Sequence, residues 1–286
     1  MKHSIIVFAA FLITSVSYAQ FQVSVSTGYA MSSAGMKLGE KTTVSSTENT
    51  YGSFGEGLNF QIRGTYFFND KFGTELALGY LNGADQTVNK TSIPGTAEVD
   101  AIGRARAFGA SASMVYNFTN NFYGRIGALI KVGGKTEAVA YNKSYFSDAE
   151  ASALGLPSGS YSETNYVEDF HGQFPLGFVA SLGYKFDLDD NFSLFAEAEY
   201  YGISLKRKDS EFTAFNTDIV LADGTVAVAG YKTLDDLPDG YYKKTTYVDE
   251  LSHTETDPSK ELSQKVPYSS FGINFGVIYK FKLKDK

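Results

Sequence analysis

Between Gly172 and Gly202 the chain reads GQFPLGFVASLGYKFDLDDNFSLFAEAEYYG. Phe174, Leu176, Phe178, Ala180, Leu182, Tyr184 and Phe186 fall on one face of a period-two run, and Gln173, Pro175, Gly177, Val179, Ser181, Gly183 and Lys185 on the other. DLDDN then interrupts. Beyond it Phe192, Leu194, Ala196, Ala198 and Tyr200 alternate with Ser193, Phe195, Glu197 and Glu199. Alternation of this kind marks strands. Each run covers about 11–15 residues, against roughly 5–6 for an ordinary strand. A long strand with one greasy face, aromatic ends and a second face of small and charged residues suits a membrane-spanning barrel.

The same pattern recurs along the chain. Phe21 to Met31 forms a first strand, Gly57 to Phe68 a second, and Phe72 to Leu81 a third. Ala105 to Phe118 is the fourth and Phe122 to Val132 the fifth. The hairpin above supplies the sixth and seventh, and Tyr268 to Phe281 the eighth. The polar stretches 32–56, 82–104, 133–171 and 203–267 read as long loops. Short and long connections therefore alternate, which in an up-and-down sheet puts all short turns at one end and all long loops at the other. Outer-membrane barrels sort their connections this way, with short periplasmic turns and long external loops. The expectation is an all-β fold, an eight-stranded antiparallel up-and-down transmembrane β-barrel with both termini on the periplasmic side. DIVLADGTVAVAGY within the last loop carries an Asp223-Gly224 hairpin signal and reads as a ribbon above the barrel rather than a ninth and tenth strand.

The turns repeat as well: YFFNDKFG, YNFTNNFYG and YKFDLDDNF each place aromatics, then Asn/Asp, then Phe. Tyr66, Phe72, Tyr116, Phe122, Tyr184, Phe192, Tyr279 and their neighbours would form one aromatic girdle, and Tyr29, Tyr80, Phe108, Phe174 and Tyr200 part of the other.

Met1 to Ala19, MKHSIIVFAAFLITSVSYA, has a polar start, an apolar core and a small-x-small end, the form of a cleaved secretory signal peptide. Residues 20–286 are then one barrel domain. The formal net charge of −7 argues against a nucleic-acid partner. The absence of Cys removes disulfides and thiolate metal sites, and no spacing suggests a metal or cofactor.

With its eight strands, alternating loop lengths, Ala-Gln cleavage junction and terminal FGINFGVIYKF, the chain resembles the small outer-membrane barrel family of OmpA/OmpX type, in the versions found in Bacteroidetes-type bacteria. The resemblance implies residence in the outer membrane of a Gram-negative bacterium, with outer-membrane lipids and lipopolysaccharide as surroundings. It also implies that the final strand is the assembly signal read by the outer-membrane insertion machinery, with Tyr279 and Phe281 at the matching positions. Lys282 to Lys286 follow that strand, whereas the signal usually ends the chain.

An eight-stranded barrel has an interior that side chains fill. The inward list includes Arg63, Glu75, Arg125, Lys131, Lys185, Glu197 and Glu199, with Gln61 and Asn274 beside them. Buried charges must pair, so these residues are expected to form a lumen ion-pair network, with Arg63 and Glu75 within reach across their hairpin. The alternative for the same residues is a water-filled pore. Glu197 and Glu199 stack on one wall, unlike glycosidase carboxylates that flank a groove. His171 and His253 lack spaced partners, so no enzyme is expected. The expected role is envelope-structural or surface-interacting, through external loops whose ligand is unknown. A small-solute channel is the runner-up, then a lipid-modifying barrel enzyme. A soluble lipocalin-like carrier, with the greasy face turned inward, comes fourth.

Overall fold

The computed structural model describes residues 20–33, 35–238 and 243–281. The signal-peptide segment 1–19, the tail 282–286 and the loop residue Asp239 lie outside the described residues. In chain order the elements are β1 (Gln20–Ser32), β2 (Met36–Thr43), β3 (Thr47–Gly52), β4 (Gly57–Phe67), β5 (Phe72–Gly83) and β6 (Gln86–Ile93). Next come β7 (Ala97–Asn117), β8 (Phe122–Tyr145), a short helix α1 (Asp148–Ala153), β9 (Tyr161–Gly172), β10 (Leu176–Asp187) and β11 (Phe192–Gly202). The last part holds β12 (Ser204–Val220), β13 (Val226–Thr233), a 3-10 turn at Leu234–Asp236, β14 (Lys244–Val248), β15 (Lys260–Leu262), β16 (Lys265–Pro267) and β17 (Ser270–Phe281).

Eight of these strands close a ring. β1 pairs with β4, β4 with β5, β5 with β7, β7 with β8, β8 with β10, β10 with β11, β11 with β17, and β17 with β1, every pair antiparallel. The ring leaves no free edge on these strands, which is what a membrane requires of a sheet. The fold is all-β, but the described residues carry seventeen strands, eight of them in the ring. The stretches expected as long loops are mostly strand. β7 and β8 continue beyond the ring to Ala97 and Tyr145, and β9, β12 and β13 add to them outside it. β6, β2 and β3 extend the sheet on the other side of β7. β2, β6 and β13 are exposed or half-exposed on both faces, so they need no apolar alternation; the outer part of β7 does alternate, with Ala101, Gly103, Ala105 and Ala107 buried, but its other face is charged rather than greasy. The Asp223-Gly224 hairpin is such a ribbon, β12 turning into β13 outside the ring.

In the ring the alternation is carried through. Along β4, Leu58, Phe60 and Ile62 point out while Asn59, Arg63 and Thr65 are buried inside. The outward face is apolar around the circumference: Leu76, Leu78, Ile126, Leu182 and Phe275 are each exposed by half or more. Polar residues line the interior, so a lipocalin-like carrier with a greasy inside does not fit. Outward residues 21–31 of β1 give a band about 25 Å tall at a rise of ~3.3 Å and a tilt of ~40°, the height of the ~25 Å apolar band of outer-membrane barrels. Aromatic pairs edge it at the short-turn end. Phe72 lies 4.8 Å from Tyr116, Tyr116 5.1 Å from Phe118, Tyr184 4.8 Å from Phe186, Phe192 5.0 Å from Tyr279 and Tyr279 4.7 Å from Phe281. At the other edge Tyr80 meets Phe108 and Phe178 meets Tyr200.

The three short turns, residues 68–71, 118–121 and 188–191, are built alike. In each, the first two amides donate to the carbonyl of the Phe that opens the next strand, Phe72, Phe122 or Phe192. The second residue's side-chain oxygen closes the loop: Asn69 accepts from the amides of Lys71 and Phe72, Thr119 from Asn121 and Phe122, Asp189 from Asn191 and Phe192. This is why the motif needs Asn, Asp or Thr at that place. Asp189, at 2.7 Å from both amides, makes the shortest pair. Asp189→Ala is expected to destabilise the barrel by about 1 kcal/mol, read from urea unfolding in lipid vesicles, and Asp189→Asn to leave it within error.

At the far end the wall changes character at one place. Between Phe108 and Gly109 the β7–β8 register slips, so that Phe108 faces Gly133 and Gly109 faces Lys131. Gly134 beside it has φ +88°, a left-handed conformation that glycine adopts freely. Such bulges sit at barrel rims, and here the bulge separates ring from outer ribbon.

Candidate functional site

The site is the lumen. From β4 come Gln61, Arg63 and Thr65, from β5 Glu75, from β8 Tyr123 and Arg125, from β11 Glu197, Glu199 and Tyr201, and from β17 Asn274. Each is an inward position of its strand, and the narrow ring brings them together. Arg63 forks onto Glu197, with Nη2 donating to Oε1 at 2.7 Å and Nη1 to Oε2 at 3.1 Å. Arg125 reaches three carboxylates: Glu75 at 2.9 Å, Glu197 at 3.0 Å, and Glu199. All five charged side chains are almost wholly buried.

Neutral donors complete the carboxylates. The Thr65 hydroxyl donates to Glu75 at 2.8 Å, the Tyr123 hydroxyl to Glu197 at 2.9 Å, and the Asn274 amide to Glu199 at 2.5 Å. Gln61 Nε2 donates to Glu199 at 2.8 Å, and Tyr201 also bonds to it. Ser181 Oγ accepts from Arg125 Nε at 2.9 Å. Tyr123 gets there because its cross-strand neighbour is Gly183. A Cβ on Gly183 would lie 2.4 Å from the Tyr123 ring, so only glycine lets the ring lie across the wall. Every charged group of the cluster is thus bonded, although Asn274 Oδ1 is buried without a partner, and the cluster fills the barrel's middle.

Not every residue expected in the network belongs to it. Arg63 and Glu75 are diagonal rather than opposed, since Arg63 faces Ala77 and Glu75 faces Thr65. Each finds a partner across the lumen instead. Lys185 donates to Asn117 Oδ1 at 2.9 Å and lies 5.0 Å over the Tyr123 ring, toward the short-turn end. Lys131 donates to the Gly134 carbonyl at 3.2 Å and lies 5.8 Å over the Tyr268 ring, among the described residues without a carboxylate at ion-pair distance. Both lysines stand apart because the two arginines already occupy the acids between them. Tyr123, Tyr201, Thr65 and Ser181 are network members that the search for charges passes over; the alternation that finds Glu199 continues one step to Tyr201.

Buried apolar residues flank the cluster on both sides. Toward the short turns lie buried Phe67, Val115 and Tyr123. Toward the long connections Phe54, Leu205, Tyr268, Ala105 and Ala107 make an apolar cap, with Leu38, Val88 and Val266 packed on it. Above this cap, on the outer ribbon, Lys135 bridges Glu137 at 2.9 Å and Asp169 at 2.8 Å, and Arg104 donates to Glu137 at 3.0 Å. Burial by itself raises the Glu137 carboxyl, but the hydrogen bonds from Lys135 and Arg104 outweigh it and hold the pKa below its ordinary value. The clasp is therefore in place above the usual carboxylate range, and it loosens as pH falls through the lowered value.

The histidines lie elsewhere. His171 pairs with Asp209 at 2.8 Å on the exposed β9–β12 ribbon, and His253 is an exposed loop residue. Tyr279 and Phe281 both face outward on β17, which is hydrogen-bonded on both sides.

No family model and no curated protein matches the chain. Solved structures do align with it. The chain is similar to Neisserial surface protein A at 14% identity over 92% of this chain and 99% of that one, with a TM-score of 0.32. The outer membrane protein OprG from Pseudomonas aeruginosa aligns at 12% identity over 93% and 97%, with a TM-score of 0.37. The attachment invasion locus protein Ail of Yersinia pestis aligns at 12% identity over 92% and 99%, with a TM-score of 0.31.

Proposed function

We propose that the chain is an integral outer-membrane barrel whose lumen is closed, and that its role is exerted by the outer ribbons as an envelope-structural or surface-interacting element. The observation that carries this reading is an apolar belt outside a ring whose inside is a saturated ion-pair cluster. An exposed belt of this height needs acyl chains around it, and a closed barrel is the one form in which strands can meet them. The sorting of four-residue turns to one end and long ribbons to the other supports turns on the periplasmic side and ribbons outside, facing lipopolysaccharide. The same reading gives β17, with outward Tyr279 and Phe281, to the insertion machinery as its contact during assembly. Bidentate arginine on paired carboxylates, with neutral donors on the remaining lone pairs, argues for a plug rather than a pore.

Fractionation and conductance test this together. The protein is expected in the outer-membrane fraction, migrating faster in gels unheated than boiled, and giving no steady current in planar bilayers. A soluble periplasmic protein would overturn the location. A steady current altered by Glu197→Gln would overturn the plug.

A further inference from the structure

Between the ion-pair cluster and the apolar cap is a cavity of about 110 Å³. Its floor includes Gln61 and Tyr201, the upper members of the cluster, and its roof includes Leu205 and Tyr268. The side walls are Ala77, Gly79, Leu81, Ala107 and Leu129, small or aliphatic. Ser111 and Ser270 also line this mostly apolar space, and two further polar groups open into it with bonding capacity unmet. One is the half-buried Lys131 ammonium, which among the described residues has a single carbonyl and no carboxylate. The other is Asn59, only 6% exposed, whose amide nitrogen and oxygen both lack a partner. An unpaired cation and an unsatisfied amide in an apolar cavity are costly, and nothing in the ring requires either.

We propose that this chamber binds a small organic anion: a monocarboxylate with an apolar body, its carboxylate on Lys131 and its body against the Ala/Gly/Leu walls, with the Asn59 amide as a second polar contact. The size sets the class: an engineered apolar cavity of about 150 Å³ accommodates benzene, and this chamber, at about 110 Å³, is smaller. The body is therefore smaller than a benzene ring, a short alkyl chain. The route in is from the ribbon end. Leu205 is shared between the chamber and a second cavity of about 80 Å³, which Phe170, Arg207 and Val266 help to line. An anion coming from that side meets the Arg207 guanidinium, stacked 4.7 Å from the Phe170 ring, before Leu205 and Lys131. The site does not depend on which compartment the ribbons face.

The test uses the full chain in lipid nanodiscs, with butanoate and its uncharged isostere butanamide as probes. Binding is followed by ligand-observed NMR with empty discs subtracted. Butanoate is expected to bind saturably, and butanamide about tenfold more weakly, the scale of one hydrogen bond to a charged group. Lys131→Gln should lower butanoate to the butanamide level. Gly79→Leu should abolish binding of both, because it fills the chamber. A Cβ there lies 3.5 Å from its nearest neighbours, an ordinary contact, so the wall tolerates it. Gly109→Val, whose Cβ also has its nearest neighbour at 3.5 Å, fills the same space and replaces the first variant if that fails to fold. No saturable binding, equal affinity for the two probes, or binding that survives a filled chamber would each overturn the proposal.

Discussion

Arg125→Met is expected to cost the barrel about 3–5 kcal/mol, the penalty for removing one partner of a buried ion pair. Arg125 is the one side chain that touches all three acids of the cluster. Without it Glu75 keeps only the Thr65 hydroxyl, and Glu199 keeps only neutral donors and Arg63 at 4.0 Å. Two carboxylates would then lie uncompensated in a space too small to hydrate them. Arg125→Lys restores a charge but not a fork, and a point charge cannot serve three carboxylates at once, so it should fall between. Adding Glu199→Gln to Arg125→Met removes one of the stranded charges and should recover part of the loss, which a purely steric defect would not allow. Urea unfolding in lipid vesicles, followed by circular dichroism, measures all four proteins. A cost under about 1 kcal/mol for Arg125→Met, the worth of an ordinary neutral hydrogen bond, would mean that the cluster is hydrated and that the lumen is open.

Ile126→Arg should cost about 2–4 kcal/mol in a bilayer, the penalty of an arginine at the midplane of a barrel's lipid face. Ile126 is 63% exposed on β8, between the girdle residue Phe122 and the rim bulge at Val132. In water such an exposed apolar side chain could be replaced by arginine within about 0.5 kcal/mol, so the size of the effect reports directly on what surrounds the belt. Leu188→Arg is the matched control. Leu188 is 63% exposed as well, but it lies in a short turn beyond the girdle, and its replacement should be neutral. Equal and small costs for the two would place the belt in water.

Much of the ring could be read in the chain because its outward positions are apolar almost throughout, while inward positions carry nearly all the polar and charged residues of the spanning strands alongside some apolar ones. The turn residues Asn69, Thr119 and Asp189 were equally legible, since one hydrogen-bonding job recurs three times. The outer ribbons were not. QTVNKTSI in β6 carries no single-sided face, and AEVDAIGRAR at the start of β7 alternates small residues with charges but lacks the large apolar outward side chains of a spanning strand; the pairing of both is set by neighbours along the chain. In the lumen, alternation put Arg63, Arg125, Glu75, Glu197 and Glu199 inside but could not say who meets whom. Partners there are chosen across the barrel rather than along a hairpin, so Glu75 joined Arg125 and not Arg63. Lys131 and Lys185 share the inward face with the cluster but not its company, because height along the strand, unlike side, depends on the stagger of the closed ring.

The outer part of β8 changes how this surface could be used. Residues 133–145 continue beyond the rim bulge, hydrogen-bonded to β7 on one side and, from Thr136, to β9 on the other. At ~3.3 Å per residue they run about 40 Å along the strand. β9 carries β12 and its hairpin with β13, whose turn at residues 221–225 is held by a bond from the Thr225 amide to Asp223. That tip stands on a continuous hydrogen-bonded stalk rather than on a slack loop. A foreign peptide spliced between Asp223 and Gly224 would be held at a fixed height and orientation, which makes this barrel a mast for display.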